Sequence, residues 1–296
     1  MNKIILKPGK DRSVFRYHPW IFSGAIAKGE GDLQEGNLVK VYTSDNRYLA
    51  TGHCQIGSIA VRILTFENET IDYNFWRNRI ADAYNMRKAI GLTESPTNNV
   101  YRLIHGEGDN LPGLVIDYYA GVAVVQFHSV GMYLEHENIA HALLDVMGDK
   151  IKAIYDKSEG TLPYKAAIEP HNGYLYGKAD NFIALENGLK FNVDWLEGQK
   201  TGFFIDQREN RSLLEKYAQG KNVLNMFCYT GGFSFYAMRG GAHLVHSVDV
   251  SARAIELTKR NVELNFPEDS RHEAFAEEAF QFLEKSQNKY DLIVLD

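Results

Sequence analysis

Short runs rich in β-branched and aromatic residues fill the first 70 positions. Leu38–Tyr42, Tyr48–Gly52 and Ile59–Leu64 are separated by Asn, Gly and Ser turns, a spacing that predicts a small β-barrel. The hydrophobic period then changes. From Asn74 onward Trp76, Ile80, Ala83, Tyr84 and Ile90 fall on one helical face, and Gly91 is placed to end the helix. The change of period sets a first domain boundary near residue 70.

The middle of the chain mixes both periods. Leu114–Tyr119, an Ala-Gly turn and Val122–Phe127 read as a hairpin, a helix runs from about Leu134 to Met147, and a strand follows at Ile151–Tyr155. A second hairpin turns at Asn187-Gly188, between Ile183–Glu186 and Leu189–Trp195. Its second arm is apolar at 189, 191, 193 and 195, so one face is buried and the other wet. This gives an α+β domain over 71–195, after a barrel over 1–70.

From about Gln207 helices and strands alternate. A helix over Asn210–Tyr217 ends at Gly220, and the buried strand Val223–Phe227 opens into Gly231-Gly232 and a helix stopped by Gly240-Gly241. The strand His243–Val248 ends at Asp249, and Ser251 caps a helix to about Asn265. A helix over Glu277–Glu284 then leads to the strand Asp291–Leu295, by count the fourth. The alternation predicts a parallel, doubly wound α/β sheet over 196–296. A sheet of this type is expected to continue beyond four strands, so the sequence reads as incomplete after Asp296.

Composition narrows the class. With 45% hydrophobic and 24% charged residues the chain is an ordinary globular protein rather than a disordered or fibrous one. No apolar run approaches the roughly 20 residues of a membrane span, and the polar start MNKIILKPGK is unlike a signal peptide. A cytoplasmic protein with no membrane partner is expected. Two cysteines, Cys54 and Cys228, support neither a disulfide framework nor a zinc site, and the ten histidines include no HxH or HxxxH pair, so no metal is proposed. The net charge of −6 hides a basic head. Lys3, Lys7, Lys10, Arg12 and Arg16 face only Asp11 within the first 20 residues, and local charge is what a phosphate backbone senses.

The candidate chemistry sits where the strand at Val223–Phe227 meets Tyr229-Thr230-Gly231-Gly232-Phe233. Ligands of such sheets bind outside the carboxyl ends of the strands, and paired glycines allow close backbone approach. Asp249 follows Gly231 by 18 residues, about where a carboxylate reaches ribose hydroxyls in a βαβ nucleoside site. The dinucleotide pattern GxGxxG is absent. An aromatic-flanked turn with few bare amides suits a nucleoside cofactor without phosphates, such as S-adenosyl-L-methionine, better than a pyrophosphate.

Three stretches carry a resemblance over the whole chain. Gly198–Arg208 followed by Asn225–Phe233 resembles the class I methyltransferases that modify 23S ribosomal RNA, closest to the ribosomal large-subunit methyltransferase I family, whose members make 5-methylcytosine. Leu6–Lys10 with His18–Gly24 resembles that family's RNA-binding PUA barrel, and Arg102–Leu114 the signature of its central domain. The resemblance implies S-adenosyl-L-methionine as cofactor and 23S rRNA as partner. By position it implies that Phe227, Tyr229, Thr230, Gly231 and Phe233 line the cofactor and that Asp249, near Ser251, holds its ribose. Glu278 stands where an Asp usually holds the adenine amino group. The Lys200–Arg208 loop, with Phe203 and Asp206, would close over the site. Asp296 matches the first residue of an Asp-Pro-Pro motif, and Lys7, Lys10, Arg12 and Arg16 would contact RNA phosphates.

Methylation at carbon 5 of cytosine needs a thiolate at carbon 6, which the family is expected to supply from later in the chain. Cys54 and Cys228 read as buried small hydrophobes. His18 and Trp20, interleaved with the basic residues, offer rings that could stack on exposed RNA bases; against that, Trp20, with Ile21 and Phe22, reads as barrel core, and His105 as a turn residue. Alternatives are a guanine exocyclic-nitrogen methyltransferase, which needs no cysteine, a non-catalytic RNA-binding protein retaining the cofactor fold, and, weakest, a nicotinamide dehydrogenase. The oligomeric state stays open, a homodimer included.

Overall fold

The computed structural model describes residues 2–163, 168–180 and 182–295. It divides into two compact units, Met1–Glu94 with Tyr101–Asp180, and Ser95–Val100 with Asn181–Asp296.

The first unit opens with strands β1 (Lys3–Leu6), β2 (Trp20–Phe22), β3 (Ile26–Glu30), β4 (Leu38–Tyr42), β5 (Tyr48–Cys54) and β6 (Ile59–Thr65). They form one sheet in the order β2-β6-β5-β4-β1-β3. The pairing is antiparallel except between β1 and β4. Register shifts in four of these five pairings add local twist and curl the sheet into a half-barrel. The closed barrel expected from strand spacing is not formed, because β2 and β3 stand at opposite edges. Ile4, Leu6, Ile21, Val39, Val41 and Val61 fill its concave core.

Helix α1 (Tyr73–Ala89) follows, its N-terminus capped by the Asp72 carboxylate, which accepts from the Phe75 amide at 3.1 Å. It buries Trp76, Ile80, Ala83 and Tyr84 as the periodicity predicts. Ile90 lies one residue past the helix, at its C-cap, and is exposed instead. Strands β7 (Val100–His105), β8 (Leu114–Tyr119) and β9 (Val122–Phe127), helices α2 (Val130–Leu134) and α3 (His136–Met147), and strands β10 (Ala153–Asp156) and β11 (Gly173–Gly177) complete the unit. The sheet order is β11-β10-β9-β8-β7. Every residue of β9 is buried, as expected for a central strand covered on both faces. The Arg102–Leu114 signature has a structural part. Asp109 accepts from the Arg87 guanidinium and, at 2.6 Å, from the His105 amide, while Arg102 forks onto Asp117 at 2.9 and 3.0 Å.

The second unit contains the hairpin β12 (Ile183–Glu186) and β13 (Leu189–Asn192), then α4 (Arg208–Tyr217), β14 (Asn222–Met226), α5 (Gly232–Arg239), β15 (Leu244–Asp249), α6 (Ala252–Asn265), β16 (His272–Ala276), α7 (Ala279–Lys285) and β17 (Leu292–Leu295). Asn187 and Gly188 both take positive φ, 49° and 81°, the geometry that favours Asn-Gly in tight hairpins. The sequence groups this hairpin with the central domain. The structure groups it with the second unit, because α6 satisfies its backbone: Asn261 Oδ1 accepts from the Asn192 amide at 2.7 Å and Asn265 Oδ1 from the Lys190 amide at 2.8 Å. Glu186, fully buried, adds an ionic anchor. Its carboxylate accepts from Arg211 at 2.8 Å twice, from Arg208 at 3.2 Å and from Tyr236 Oη at 3.0 Å. The main sheet is parallel throughout, in the order β16-β15-β14-β17.

Candidate cofactor site and nucleic-acid surface

At the carboxyl end of β14 the chain leaves the sheet through a tight turn. Phe227, Tyr229 and Gly231 have φ of 56°, 48° and 81°, so two aromatic residues occupy the left-handed region that costs a side chain about 1–3 kcal/mol. The turn persists because it is held at each residue from Cys228 to Gly231. The Cys228 amide bonds Val248 O at 3.0 Å, and the Gly231 amide bonds Cys228 O at 2.8 Å. Thr258 Oγ1 donates to Tyr229 O at 3.0 Å, and Asn261 Nδ2 to Thr230 O at 3.2 Å. Gly231 is required by space as well as by φ: a Cβ there would lie 2.6 Å from Thr258 Cγ2 and 2.9 Å from the Phe235 ring.

Asp249 ends β15 and joins this turn to the next helix. Its Oδ2 accepts from the Tyr229 amide and its Oδ1 from the Ser251 amide, both at 2.9 Å. Each oxygen holds one of these donors and retains acceptor capacity, which suits a vicinal diol. Beside it lies a cleft of about 560 Å³ lined by Val250, Phe275, Ala276, Glu277, Glu278 and Gln281, at the carboxyl ends of β15 and β16. Phe227 and Val250, the residues that follow β14 and β15, are exposed. A diol acceptor, apolar surface and a cleft in the ligand-sized range fit an adenosine derivative.

The other expected residues divide. Ser251 caps α6, accepting from the Ala254 amide at 3.2 Å, and Glu278 caps α7, accepting from the Gln281 amide at 3.0 Å. Glu278 thus lines the cleft with its carboxylate already engaged in a cap. Thr230 is buried, and Phe233 is half-buried in the first turn of α5. Phe203 does not face the site. It is 6% exposed, packed 4.7 Å from the Phe191 ring and 4.6 Å from the Arg211 guanidinium. Its neighbour Phe204 meets Tyr229 edge-on at 5.3 Å. Asp206 is exposed in a single turn over Ile205–Gln207. The Lys200–Arg208 loop is tied to the turn by Tyr229, whose hydroxyl accepts from the Gln199 amide at 3.0 Å and donates to Gly202 O at 3.2 Å. Asp296 lies outside the described residues. Thr258, Asn261 and Arg211 were not apparent from the motifs. The only signal for the first two is a polar Thr258–Asn261–Asn265 stripe at helical spacing on α6.

Both cysteines are poor nucleophiles. Burial, with Asp249 close by, pushes the Cys228 thiol up to about 12, and burial raises that of Cys54.

On the first unit, Lys10, Arg12 and Arg16 are exposed, and Lys7 Nζ donates to Gly24 O at 2.9 Å. Of the three residues expected to fill the core here, only Ile21 does. Alternation along β2 leaves Phe22 exposed, and Trp20 is half-buried, its Nε1 donating to Glu107 Oε1 at 2.8 Å with the Arg62 guanidinium 5.6 Å from its ring.

Residues 4–66 match the PUA-like domain and residues 101–296 match the S-adenosylmethionine-dependent methyltransferase family. Ribosomal RNA large subunit methyltransferase I of Aeromonas hydrophila is 38% identical over 301 residues, covering 99% of this chain and 75% of that protein. The protein of the same name from Pseudoalteromonas atlantica is 40% identical over 301 residues, covering 100% of this chain and 75% of its own. The chain belongs to the ribosomal RNA large subunit methyltransferase I family. It is an S-adenosylmethionine-dependent methyltransferase with a PUA-like domain at its head. A solved methyltransferase from Streptococcus mutans shares the fold, with TM-score 0.85 at 24% identity over 100% of this chain and 76% of that one. Another, complexed with SAH, superposes with TM-score 0.86, also at 24% identity and with the same coverage. Among the described residues of this methyltransferase no helix is long and apolar enough to cross a membrane.

Proposed function

We propose that the chain methylates carbon 5 of a cytosine in 23S ribosomal RNA, in the cytoplasm. The observation that carries the reading is the Asp249-held turn at the end of β14, in a chain 38% identical to a ribosomal RNA large subunit methyltransferase I. S-adenosylmethionine, when bound, supplies an electrophilic methyl group on its sulfonium. The residues of the chain do the positioning. Asp249 accepts the ribose hydroxyls, the exposed Phe227 and Val250 contact the adenosine, and Tyr229, fastened to both Asp249 and Gly202, keeps turn and loop in register. On the first unit Lys7, Lys10, Arg12 and Arg16 engage phosphates.

Carbon 5 becomes nucleophilic only after a thiolate adds to carbon 6, and a base must then remove the carbon 5 proton. Neither Cys54 nor Cys228 suits that role. A second reading is transfer to the exocyclic nitrogen of a guanine, which requires no thiolate. Incubating the protein with unmodified 23S rRNA and S-adenosylmethionine, then digesting for nucleoside mass spectrometry, separates the two. 5-Methylcytidine supports the first and N2-methylguanosine the second. Absence of both from a protein that binds the cofactor would overturn the RNA substrate.

A further inference from the structure

We propose that Arg12, Arg16, Tyr17 and His18 form a capture site for one unpaired nucleotide of the RNA. The inference rests on the RNA reading above and adds where, and in what form, the strand is held. A single helical turn over Val14–Arg16 is pinned by buried Val14 and by the Tyr17 and His18 amides, which bond Val14 O at 2.9 Å and Ser13 O at 3.0 Å. The turn ends on Tyr17 with φ 59°, and the residue is 73% exposed. A bulky residue in the left-handed region with its apolar ring exposed is unfavourable on both counts. Strained residues cluster at functional sites. Phe66 meets the Tyr17 ring edge-to-face at 5.1 Å and 77°, fixing its plane without stacking on it.

His18 supplies the second ring. Its Nδ1 accepts from the Trp20 amide at 3.2 Å, and its ring meets Trp20 edge-on at 5.8 Å. Trp20 is itself held by Glu107 and Arg62, so the histidine rests on a rigid support. Between these groups lies a cleft of about 670 Å³ lined by Arg12, Ser13, Arg16, Tyr17, His18 and Pro19. Arg12 and Arg16 are exposed, and among the described residues neither is paired with a carboxylate. Uncompensated guanidinium groups attract phosphate, and aromatic rings stack on bases that have left a helix. Phosphate recognition alone gives no use for the exposed tyrosine. A duplex keeps its bases stacked on one another, which leaves the rings unused. The chemistry therefore selects a single strand.

The test measures binding of the full chain to fluorescein-labelled oligocytidine and to a duplex of equal length, by anisotropy over a range of salt. Calorimetric titration of each variant with S-adenosylmethionine runs alongside. Tyr17→Ala is expected to weaken single-strand binding about tenfold, to leave duplex binding unchanged, and Tyr17→Phe to bind as the wild type does. Arg12→Gln and Arg16→Gln should each flatten the slope of log affinity against log salt by about 0.7. Unaltered single-strand affinity in Tyr17→Ala, or equal losses on both RNA forms, would overturn the capture site. A wild-type chain that bound the cofactor and neither RNA would remove the RNA reading itself.

Discussion

The Tyr229 amide lies 2.9 Å from Asp249 Oδ2, joining the exits of two neighbouring parallel strands through one carboxylate. The same tyrosine reaches the Lys200–Arg208 loop through its hydroxyl. A single side chain and the acid that holds its backbone thus set the relative positions of turn, loop and diol acceptor before any ligand arrives.

Replacing Asp249 with Asn keeps the shape and removes the charge. One oxygen becomes an amide donor, so only one of the Tyr229 and Ser251 amides keeps its acceptor. Hydrogen bonds to charged groups contribute about 1.5–3 kcal/mol, so cofactor affinity should fall on the order of 10–100-fold. Calorimetry with S-adenosylmethionine, with circular dichroism to confirm folding, checks this. Unchanged affinity would mean that the carboxylate is structural only.

Gly231→Ala places a methyl group 2.6 Å from Thr258 Cγ2 at φ 81°. The backbone conformation alone costs about 1–3 kcal/mol, so the urea midpoint should drop together with cofactor binding. Adding Thr258→Ser removes the nearest clashing methyl and should restore part of the loss, a coupling that a double-mutant cycle reads directly.

The buried carboxylate of Glu186 is shared by Arg208, Arg211 and Tyr236, and Arg211 also donates to Phe204 O at 3.0 Å. Glu186→Gln leaves buried guanidinium charge uncompensated, a change that costs about 3–5 kcal/mol. Tyr236→Phe removes one hydrogen bond and should cost about 1 kcal/mol. Urea unfolding of both variants tests the ranking, and equal losses would contradict a charge-centred anchor.

Local signals made much of this legible. The Asn187-Gly188 turn, the Gly231-to-Asp249 spacing and the α1 stripe each follow from residues near in sequence. The parts that were missed depend on distant partners. The count of four strands leaves the one before Asp291–Leu295 without bounds, because β16 lies at the edge of the sheet and carries polar residues among its apolar ones. The allegiance of the β12–β13 hairpin was hidden because it is decided by Asn261 and Asn265, some 70 residues away. Between adjacent Phe203 and Phe204 the sequence has no means of telling which ring turns inward. The answer comes from Phe191 and Arg211, which enclose the first.

Acid stability provides a test that involves no ligand. His53 is 3% exposed, its Nδ1 has no hydrogen-bond partner among the described residues, and its ring stacks on Trp76 at 6.1 Å and 19°. Gly131 packs so closely that a Cβ there would lie 2.2 Å from the imidazole. Burial lowers the His53 pKa from 6.5 to about 4. Above pH 6.5 the ring is neutral folded or unfolded and contributes no pH dependence. Between pH 6.5 and about 4 the unfolded chain takes a proton that the folded one refuses, so stability falls as pH falls, by about 3 kcal/mol across the window. His272, also lowered to about 4 by burial with His246 beside it, acts in the same direction. His53→Leu should therefore remove about 3 kcal/mol of the acid-induced loss and leave the remainder. The measurement is the difference between wild-type and variant unfolding free energies across pH 7 to 4. Parallel curves would show that His53 accepts its proton in the folded state at no cost, and that water reaches a ring that the packing of Trp76 and Gly131 closes off.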